Sequence, residues 1–480
     1  MISITRHAAR RLRAVFRRSV LGISHKGLIP PLVLHAEGQR LRAQYQYHDL
    51  AVEYVEPGGF RQLDSIPVPL EALADIEGRD DSPVVLEAVE PDRTIVRWQD
   101  RGIPRTREYA ATPFGKIAPF PDAPAAWTSV PAETLTALAE ASAICTGESN
   151  RYSLDCIQLR SGDGKVIATD GRQLLVRSGL SFPWDGDLLI RGSPIFACKA
   201  LSGGRAIEIG KTDSHVVLRI GPWSLWHAIQ KDARFPRVED AIPGPETATT
   251  SLQVDPEDAR FVKAALDRLP GADALHGPMT IDCNGKVALR AKGSDTEQAT
   301  ELVLSRSRYT GSPLRISTSR EFVGRALALG FRELAFSNVE QPVVCREQGR
   351  IYAWQPLNAD SVIEEVPDMI CIESNASSVV TNRTMTKPRP TRSPMNDYAR
   401  RNGQQAEPQP AQNGKPVGDH AASSLAGLIQ EAETLCETLT NARASVTRLI
   451  TGLRRHRKQS RLLSDTLKSL RQLKLTETAE

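Results

Sequence analysis

Residues 166–176 read VIATDGRQLLV, and this stretch gives the pattern from which the organisation of the chain can be inferred. Aliphatic residues on both sides of Asp170-Gly171 predict two strands joined by a turn, in which the aspartate caps the turn and the glycine takes a positive φ. The stretch lies in the second of three consecutive units with one order of elements: a helix, a hairpin region, a strand that leads into a second helix, and a further hairpin. Such repetition predicts a scaffold that surrounds a partner rather than a chain that encloses one reaction centre.

The three units divide the first 358 residues into domains of ordinary length, with predicted boundaries at 1–122, 123–246 and 247–358. The predicted helices, two per unit, cover residues 7–20 and 70–76, 131–145 and 193–203, and 256–269 and 320–330. Asp163-Gly164 and Asn284-Gly285 are dipeptides typical of tight hairpins. The predicted fold class is therefore α+β, with three tandem domains in which two helices pack on antiparallel sheets.

The composition changes after the third unit. Residues 359–420 are rich in Asn, Pro, Ser, Thr, Arg and Gln, which predicts a disordered linker. In residues 421–475, apolar side chains such as Leu425, Leu428, Leu435 and Leu439 recur at three- and four-residue steps, which indicates a heptad seam. One long coiled-coil helix and a helical hairpin broken near residues 454–458 fit this pattern equally well, and either predicts self-association or a coiled-coil partner.

The composition is that of a soluble, cytoplasmic protein. Of its 480 residues 40% are hydrophobic and 25% are charged, and the net charge of +4 is too small to attract nucleic acid by itself, so such contact needs a local basic surface. No apolar stretch is long enough for a bilayer span, which predicts no membrane partner. The seven cysteines are scattered, which favours reduced thiols over disulfides or a zinc site. We expect no metal, no cofactor and no catalytic residue.

A basic surface is predicted on the first helix. Arg6, Arg10, Arg13 and Arg17 are spaced by four, three and four residues and share one helix face, in a segment, residues 1–20, that contains no acid. A transit peptide would have a similar composition. We prefer the helix of the first unit, because a basic stripe of this kind attracts the phosphate backbone of DNA. The alternative to a phosphate contact is a solvated helix face.

The third unit carries a weaker version of the same basic surface. Its candidate DNA contacts are Arg260, Lys263, Arg320 and Arg325. Motifs for enzyme chemistry are missing by comparison: there is no phosphate-binding loop, no nucleophile elbow and no histidine pair at metal-ligand spacing.

Three segments of the second unit resemble the bacterial DNA polymerase III beta subunit, the sliding clamp. Arg151-Tyr152-Ser153-Leu154 matches the family's Arg-Tyr-x-Leu, residues 168–174 (ATDGRQL) match its Ala-Thr-Asp-Gly-His-Arg-Leu, and Phe235-Pro236 matches the Phe-Pro at the end of its middle domain. Order and spacing both agree, and the resemblance covers residues 1–358. It implies a non-catalytic processivity factor that encloses double-stranded DNA as a head-to-tail homodimeric ring, associated with the nucleoid, without base-specific contacts.

The resemblance also implies a pocket between the second and third domains for short apolar peptides of polymerases and the clamp loader. The matching positions are Leu154, Thr169, Gly171, Arg172, Leu174, Pro236, Asp240, Ala241 and Trp354. Arg172-Gln173 replaces the family's usual His-Arg, and Asp240 stands where an arginine is common, so the pocket is predicted to differ in charge and volume. The alternative function is that of a clamp-fold paralogue acting as a coiled-coil scaffold or DNA-associated regulator without a replicative role.

Overall fold

The computed structural model describes residues 1–20, 29–59, 63–145, 152–202, 206–272, 274, 276–293 and 298–375. The predicted coiled coil, and the predicted linker from residue 376 onward, lie outside the described residues. The described residues fall within one compact unit, which extends from Met1 to Asn382. None of the described helices has the length and apolarity needed to span a membrane.

The first repeat contains eight strands and two helices. Thr5 begins the first helix by accepting a hydrogen bond from the Ala8 amide at 3.0 Å, which satisfies one of the free donors of the first turn. The elements are β1 (Ile2–Thr5), α1 (Arg6–Ser19), β2 (Leu32–Glu37), β3 (Arg40–Tyr47), β4 (Leu50–Pro57), β5 (Asp64–Val68), α2 (Ala72–Ile76), β6 (Pro83–Glu90), β7 (Arg93–Asp100) and β8 (Ile103–Ala110). The sequence did not predict β1, β4 or β8 as strands.

The second repeat has the same order but only one α-helix. Its elements are β9 (Thr128–Val130), α3 (Glu133–Ser142), β10 (Cys156–Arg160), β11 (Lys165–Thr169), β12 (Gln173–Arg177), β13 (Asp187–Arg191), β14 (Ile207–Lys211), β15 (His215–Ile220) and β16 (Trp223–Ala228). The helix predicted at 193–203 is a short 3-10 turn at Pro194–Ala197 instead. Ile195 and Phe196 are buried there and the turn packs against both α1 and α3, so tertiary packing replaces the second helix by a tighter turn.

The third repeat restores both helices and adds one strand. Its elements are β17 (Thr250–Gln253), α4 (Pro256–Ala265), β18 (Pro278–Asn284), β19 (Lys286–Ala291), β20 (Thr300–Val303), β21 (Arg308–Gly311), β22 (Leu314–Ser319), α5 (Arg320–Ala328), β23 (Glu333–Phe336), β24 (Val343–Glu347) and β25 (Arg350–Trp354). The strands and α-helices named for the three repeats lie within the predicted boundaries, which themselves remain predictions.

Two of the four sheets continue from one repeat into the next. Their strand orders are β5-β2-β3-β4-β16-β15-β14-β9 and β13-β10-β11-β12-β25-β24-β23-β17-β21. At the first junction β4 pairs with β16, and at the second β12 pairs with β25; both pairings are antiparallel and five residues long. Each junction therefore joins the fourth strand of one repeat to the last strand of the next.

The other two sheets belong to single repeats. In the first repeat the order is β1-β6-β7-β8, so β8 has a neighbour on one side only among the described residues. In the third repeat the order is β22-β18-β19-β20, and a further strand, β26 (Ile370–Glu373), lies beside β20 in parallel orientation. This last strand comes from a segment that the sequence assigned to the disordered linker.

The helices and the core-facing sides of the sheets bury one extended apolar core. Phe16 of α1 meets Trp223 of β16 edge to face, with ring centroids 5.5 Å apart, so the core also crosses the first junction. The predicted hairpin at Asp163-Gly164 is present, and Gly164 has a φ of +60°. A Cβ at Gly164 would stand 2.0 Å from the Leu180 carbonyl oxygen, so only glycine fits this turn.

Candidate nucleic-acid interface and partner pocket

Helix α1 presents one apolar and one basic face, as its sequence predicts. Its buried face packs into the core and consists of Ala8, Ala9, Leu12, Val15, Phe16 and Ser19. Arg10 and Arg17 are exposed, and within the described part of the chain no carboxylate pairs with either of them. Both guanidinium groups are therefore available to a phosphate.

Two further arginines of α1 are paired with carboxylates that come from distant elements. Arg13 lies 2.5 Å from a carboxylate oxygen of Glu77, and Arg11 lies 2.8 Å from one of Glu56. The basic segment itself contains no acid, and folding supplies these two. Both pairs are partly exposed, where such attractions are weak, so Arg13 remains a predicted DNA contact with a competing partner.

Arg6 holds the start of α1 in place and is not part of the exposed basic face. Its side chain is only 11% exposed and donates hydrogen bonds to the carbonyl oxygen of Glu77 at 3.0 Å and to a carboxylate oxygen of Asp100 at 3.1 Å. It also donates to the carbonyl oxygen of Gln99 at 3.2 Å. These bonds tie α1 to the end of β7 and engage the Arg6 side chain, and its contact with DNA stays a prediction.

The candidates on α4 are both exposed, but they differ in their surroundings. Arg260 forms an ion pair with Glu257 one turn earlier in the same helix. Lys263 is exposed at the rim of a small cleft and, within the described residues, pairs with no carboxylate. Lys263 is thus the freer cation of the two.

Arg320 is buried and has a structural role. The residue is 7% exposed, and its guanidinium group donates to five backbone carbonyl oxygens at 2.7 to 3.3 Å. These carbonyls belong to Leu266, Leu269, Pro270, Gly277 and Pro278. Arg320 therefore fastens the segment after α4 to the start of α5, and its contact with DNA stays a prediction that this buried position does not favour.

Arg325 contributes to the junction between the second and third repeats. It donates to the side-chain oxygen of Gln173 at 2.7 Å and to Glu321 at 2.8 Å. The same Gln173 oxygen accepts a hydrogen bond from the hydroxyl of Tyr352 at 2.7 Å. Because Gln173 is buried and bonded to two residues of the third repeat, both Gln173 and Arg325 act in joining the repeats.

The turn at residues 169–173 is organised by Asp170. One carboxylate oxygen accepts the backbone amides of Arg172 at 2.8 Å and Gln173 at 2.9 Å, and the other accepts the Gln173 side-chain amide at 2.7 Å. Thr169 receives the Gly171 amide on its hydroxyl at 3.0 Å, and Gly171 has a φ of +87°. The aspartate and the glycine have the roles that the sequence predicts for them.

The segments that matched in sequence also meet in space. The Ser153 amide donates to the carbonyl oxygen of Arg234 at 3.0 Å. The guanidinium group of Arg234 lies 5.4 Å from the centre of the Tyr152 ring, within range of a cation–π contact. Leu154 lies against Gly171, where an added Cβ would be 3.6 Å from its δ-carbon. The first, second and third matching segments therefore form one surface.

The apolar floor of the predicted pocket is covered by the chain itself. Leu174 is 7% exposed and Trp354 is 1% exposed, and the Trp354 indole donates to the Thr318 hydroxyl at 2.8 Å. Leu174 clusters with Ile167 and Val176, and the side chains that cover this cluster come from the connecting segment after β16 and include Phe235, Val238 and Ile242. Trp354 thus belongs to the main apolar core, and its role as a peptide contact stays a prediction.

The cover is held by ion pairs at Glu239. Its carboxylate lies 2.5 Å from Arg160 and 2.7 Å from Lys165, the residues that flank the β10–β11 hairpin. Partial burial would raise the pKa of Glu239, but the hydrogen bonds from Lys165 and Arg160 outweigh it and lower that pKa. The carboxylate therefore stays ionised and keeps the connecting segment on the hairpin.

A polar cleft remains beside this cover. It has a volume of about 480 Å³ and is lined by residues that include Pro236 and Asp240. Arg172 is exposed and lies within hydrogen-bond distance of both ring nitrogens of His276, at 2.7 and 2.6 Å. Ala241 is exposed next to Asp240. The accessible part of the predicted pocket is therefore a charged rim.

Comparisons with known proteins give a match in fold. No protein-family model and no curated protein matches the sequence. The sliding clamp (DNA polymerase III subunit beta) of Pseudomonas aeruginosa, solved with griselimycin bound, superposes with a TM-score of 0.62 at 16% identity, over 74% of this chain and 99% of that one. The chain has the fold of a DNA polymerase III beta sliding clamp.

Two further solved structures agree. The Caulobacter crescentus beta sliding clamp gives a TM-score of 0.62 at 18% identity, over 74% of this chain and 98% of that one. The beta subunit from Thermotoga maritima gives 0.59 at 14% identity, over 74% and 99%. The family predicted from three short segments is therefore confirmed at the level of the fold, in a chain whose sequence has diverged far from the solved clamps.

The first junction of this clamp fold carries an open groove that the sequence did not predict. It has a volume of about 840 Å³ and lies between the β2–β4 strands and the connecting segment at residues 112–121. Its lining includes Pro31, Tyr47, Phe114, Phe120 and His215. The cluster of aromatic and proline residues at 114–124 is a signal that could have indicated it.

In the described residues, no group of three or more potential ligands could hold a metal ion.

Proposed function

We propose that this chain acts as a non-catalytic sliding clamp, which encloses double-stranded DNA in a head-to-tail ring of two copies and tethers partners to it. The clamp fold supports a clamp-like role in general. The specific support for a ring is the junction pattern. Each internal junction uses the fourth strand of one repeat and the last strand of the next, so β20 of the third repeat and β8 of the first have no junction partner within the chain. Two copies joined by these strands would repeat the internal junctions twice and close.

The charge distribution supports duplex DNA as the enclosed partner. Helices α1 and α4 hold equivalent places in the first and third repeats. Their exposed cations are Arg10, Arg17 and Lys263, with Arg13 and Arg260 beside them. Contacts of this kind neutralise phosphates without reading bases, which suits a protein that slides. A protein of this function works in the cytoplasm on nucleoid DNA.

We also propose that partner peptides bind at the second junction. Leu154, Gly171 and Arg172 would form one side of the site, and Pro236, Asp240 and Ala241 the other. Thr169 and Leu174 are buried below them and would come into contact only if the connecting segment moved. A polymerase or clamp-loader peptide would therefore have to displace Phe235 and Val238, and the exposed Asp240 favours a peptide with a basic residue.

The test of the proposed ring is a threading experiment with the full-length chain. A duplex is fixed to a bead at one end, the protein is allowed to thread over the other end, and that end is then blocked with streptavidin on a terminal biotin. A wash at about 1 M salt removes proteins that are held only by charge. A ring should remain through this wash and leave when a restriction enzyme cuts the duplex.

The control is the same duplex with the free end left unblocked. A ring should slide off that duplex, so the retained fraction should fall to background. Complete loss of the protein from the blocked duplex in the high-salt wash would contradict a topological link, and equal retention on blocked and open duplexes would indicate adhesion instead.

A further inference from the structure

The two internal junctions define a rule for how one repeat joins the next. Both use the fourth strand of the earlier repeat and the last strand of the later repeat, in antiparallel pairing over five residues. Both are packed with side chains: Tyr54 contacts Trp223 across the first, and Gln173 stands opposite Trp354 across the second. Applied once more, the rule pairs β20 with β8 of a second copy.

Strand β8 is in a suitable state for such a pairing. It is eight residues long, it has β7 on one side, and within the described chain no strand lies on its other side. Seven of its eight side chains are exposed, and Ile103 is 57% exposed. An open strand edge with unpaired amides and carbonyls accepts another strand readily.

Strand β20, in contrast, has a neighbour on both sides, because β26 lies along the edge that faces away from β19. The two strands are parallel over four residues, from Thr300 opposite Ile370 to Val303 opposite Glu373. The amide of Ile370 donates to the Ala299 carbonyl at 3.0 Å, and the amide of Ser374 donates to the Val303 carbonyl at 3.0 Å. One edge of a strand holds one neighbour, so β26 and a second copy's β8 cannot occupy β20 together.

Ion pairs hold the segment that leads to β26. Glu365 contacts the fully buried Arg290 at 3.1 Å and Lys286 at 3.0 Å. The amide of Ile363 donates to the Thr280 hydroxyl at 2.8 Å, and Glu364 pairs with Arg315. Residues 363–374 therefore cross the sheet of the third repeat from one edge to the other before they pair with β20.

The pairing of β26 with β20 is weaker than the strand pairing at either internal junction. It offers four parallel pairs where each junction has five antiparallel pairs, and parallel pairing is slightly less stable per residue. Ile370 is 48% exposed and Ile372 is 40% exposed, so neither is packed as a junction residue is. Release of β26 therefore costs little apolar burial.

We propose that residues 363–374 are a built-in blocking segment, in which β26 occupies the edge of β20 that a second copy's β8 needs, so that head-to-tail assembly requires its release. This proposal rests on the ring described above. It makes ring closure a competition between two strands for one edge, and it gives the segment beyond the third repeat a direct influence on assembly.

The test uses the alternation of backbone amides along β26. Since Ile370 and Ser374 donate towards β20, the amide of Ile372 also points to β20, whereas that of Glu373 points away. Ile370→Pro with Ile372→Pro removes two donors from the pairing, and Glu373→Pro is the matched control, since an edge strand tolerates proline where its amide faces solvent. Glu365→Gln is a milder variant that weakens the anchor and preserves the strand.

Hydrogen exchange of the full-length chain is measured as a function of protein concentration. It reports on β8 and β26 individually, so it distinguishes their pairing from any association through residues 421–475. In the parent chain we expect protection of β8 to appear only as protection of β26 is lost. The double proline variant should protect β8 at a concentration at least about tenfold lower, and its retained fraction in the threading experiment should rise. Glu365→Gln should shift in the same direction, and Glu373→Pro should match the parent.

Two results would overturn the proposal in distinguishable ways. If β8 became protected while β26 stayed protected, or if Glu373→Pro prevented protection of β8, then β26 would be part of the joint and the ring would stand without a block. If β8 gained no protection in any variant and none was retained on blocked duplex DNA, the ring itself would fall, and the blocking segment with it.

Discussion

At the scale of single residues, a buried histidine links the stability of this fold to pH. His227 lies in β16 beside β4, is 2% exposed, and stacks on Phe196 with ring centres 4.4 Å apart. Burial, with a smaller effect from the nearby His215, lowers the pKa of His227 to about 3. The imidazole is therefore neutral in the folded chain at pH values where an unfolded histidine takes up a proton.

We predict that His227 makes the first junction sensitive to acid. Its folded pKa lies below its unfolded value of 6.5, so protonation favours the unfolded chain, and the free energy of unfolding falls as the pH decreases from 6.5 towards 3. His227→Phe keeps a ring against Phe196 and removes this dependence. Urea unfolding at pH 7.5 and pH 5 should show the parent losing about 2 kcal/mol more than the variant. Equal losses would mean that His227 is protonated while folded.

A second prediction separates the structural arginines from those proposed to bind DNA. Arg320→Gln leaves several buried carbonyl oxygens without a donor, which should lower the free energy of unfolding by about 3 kcal/mol in denaturant titration. Arg260→Gln removes a charge of the same kind from an exposed position on α4 and should change it by less than about 0.5 kcal/mol. A stable Arg320→Gln variant with weakened DNA binding would reverse the assignment made from its burial.

At the scale of elements, α1 shows how one helix carries both a core face and an exposed basic face. The same spacing that places Leu12 and Phe16 in the core places Arg10 and Arg17 in solvent. The helix is short of acidic neighbours along the sequence, yet Glu56 and Glu77 reach it from β4 and from the end of α2. Only the arginines that these acids leave unpaired are strong candidates for phosphate contact.

We predict that Arg10→Gln with Arg17→Gln reduces the salt dependence of DNA association. Each phosphate contact contributes about 0.9 to the slope of log K against log salt, so the slope should become shallower by about 2. The control is Arg40→Gln with Arg308→Gln, which removes two exposed arginines from β3 and β21 and leaves the helices unchanged. Fluorescence anisotropy of a labelled duplex over a salt series measures both. Equal slopes in the two double variants would exclude α1 from the DNA path.

At the scale of the whole molecule, the repeat order could be predicted from sequence and the joints between repeats could not. Hairpins such as Asp163-Gly164 and the turn at Asp170 depend on neighbouring residues, so local patterns reveal them. The pairing of β4 with β16 joins residues more than 160 positions apart, and no local pattern specifies such a pairing. Strand β8 escaped prediction because Pro104 and its charged residues are typical of a protected edge rather than a core strand.

The same distance effect explains why the sequence did not reveal the structural contacts of two candidate site residues. Arg320 and Trp354 look like surface contacts in sequence, and their partners, the carbonyls after α4 and the hydroxyl of Thr318, lie 36 to 54 positions away. The strand β26 was hidden for a different reason. Its segment has a composition close to that of a linker, and its order depends on ion pairs with Arg290 and Lys286 that only the folded third repeat presents.

Because two sheets run uninterrupted from one repeat to the next, we expect strand pairing, in addition to the covalent link, to hold neighbouring repeats together. The connecting segment at residues 111–127 could be cut, and the ladder between β4 and β16, with Phe16 seated against Trp223, would still bind the two pieces. We expect that two such polypeptides, produced separately, would associate. A repeat produced alone would expose a long unpaired strand edge and aggregate.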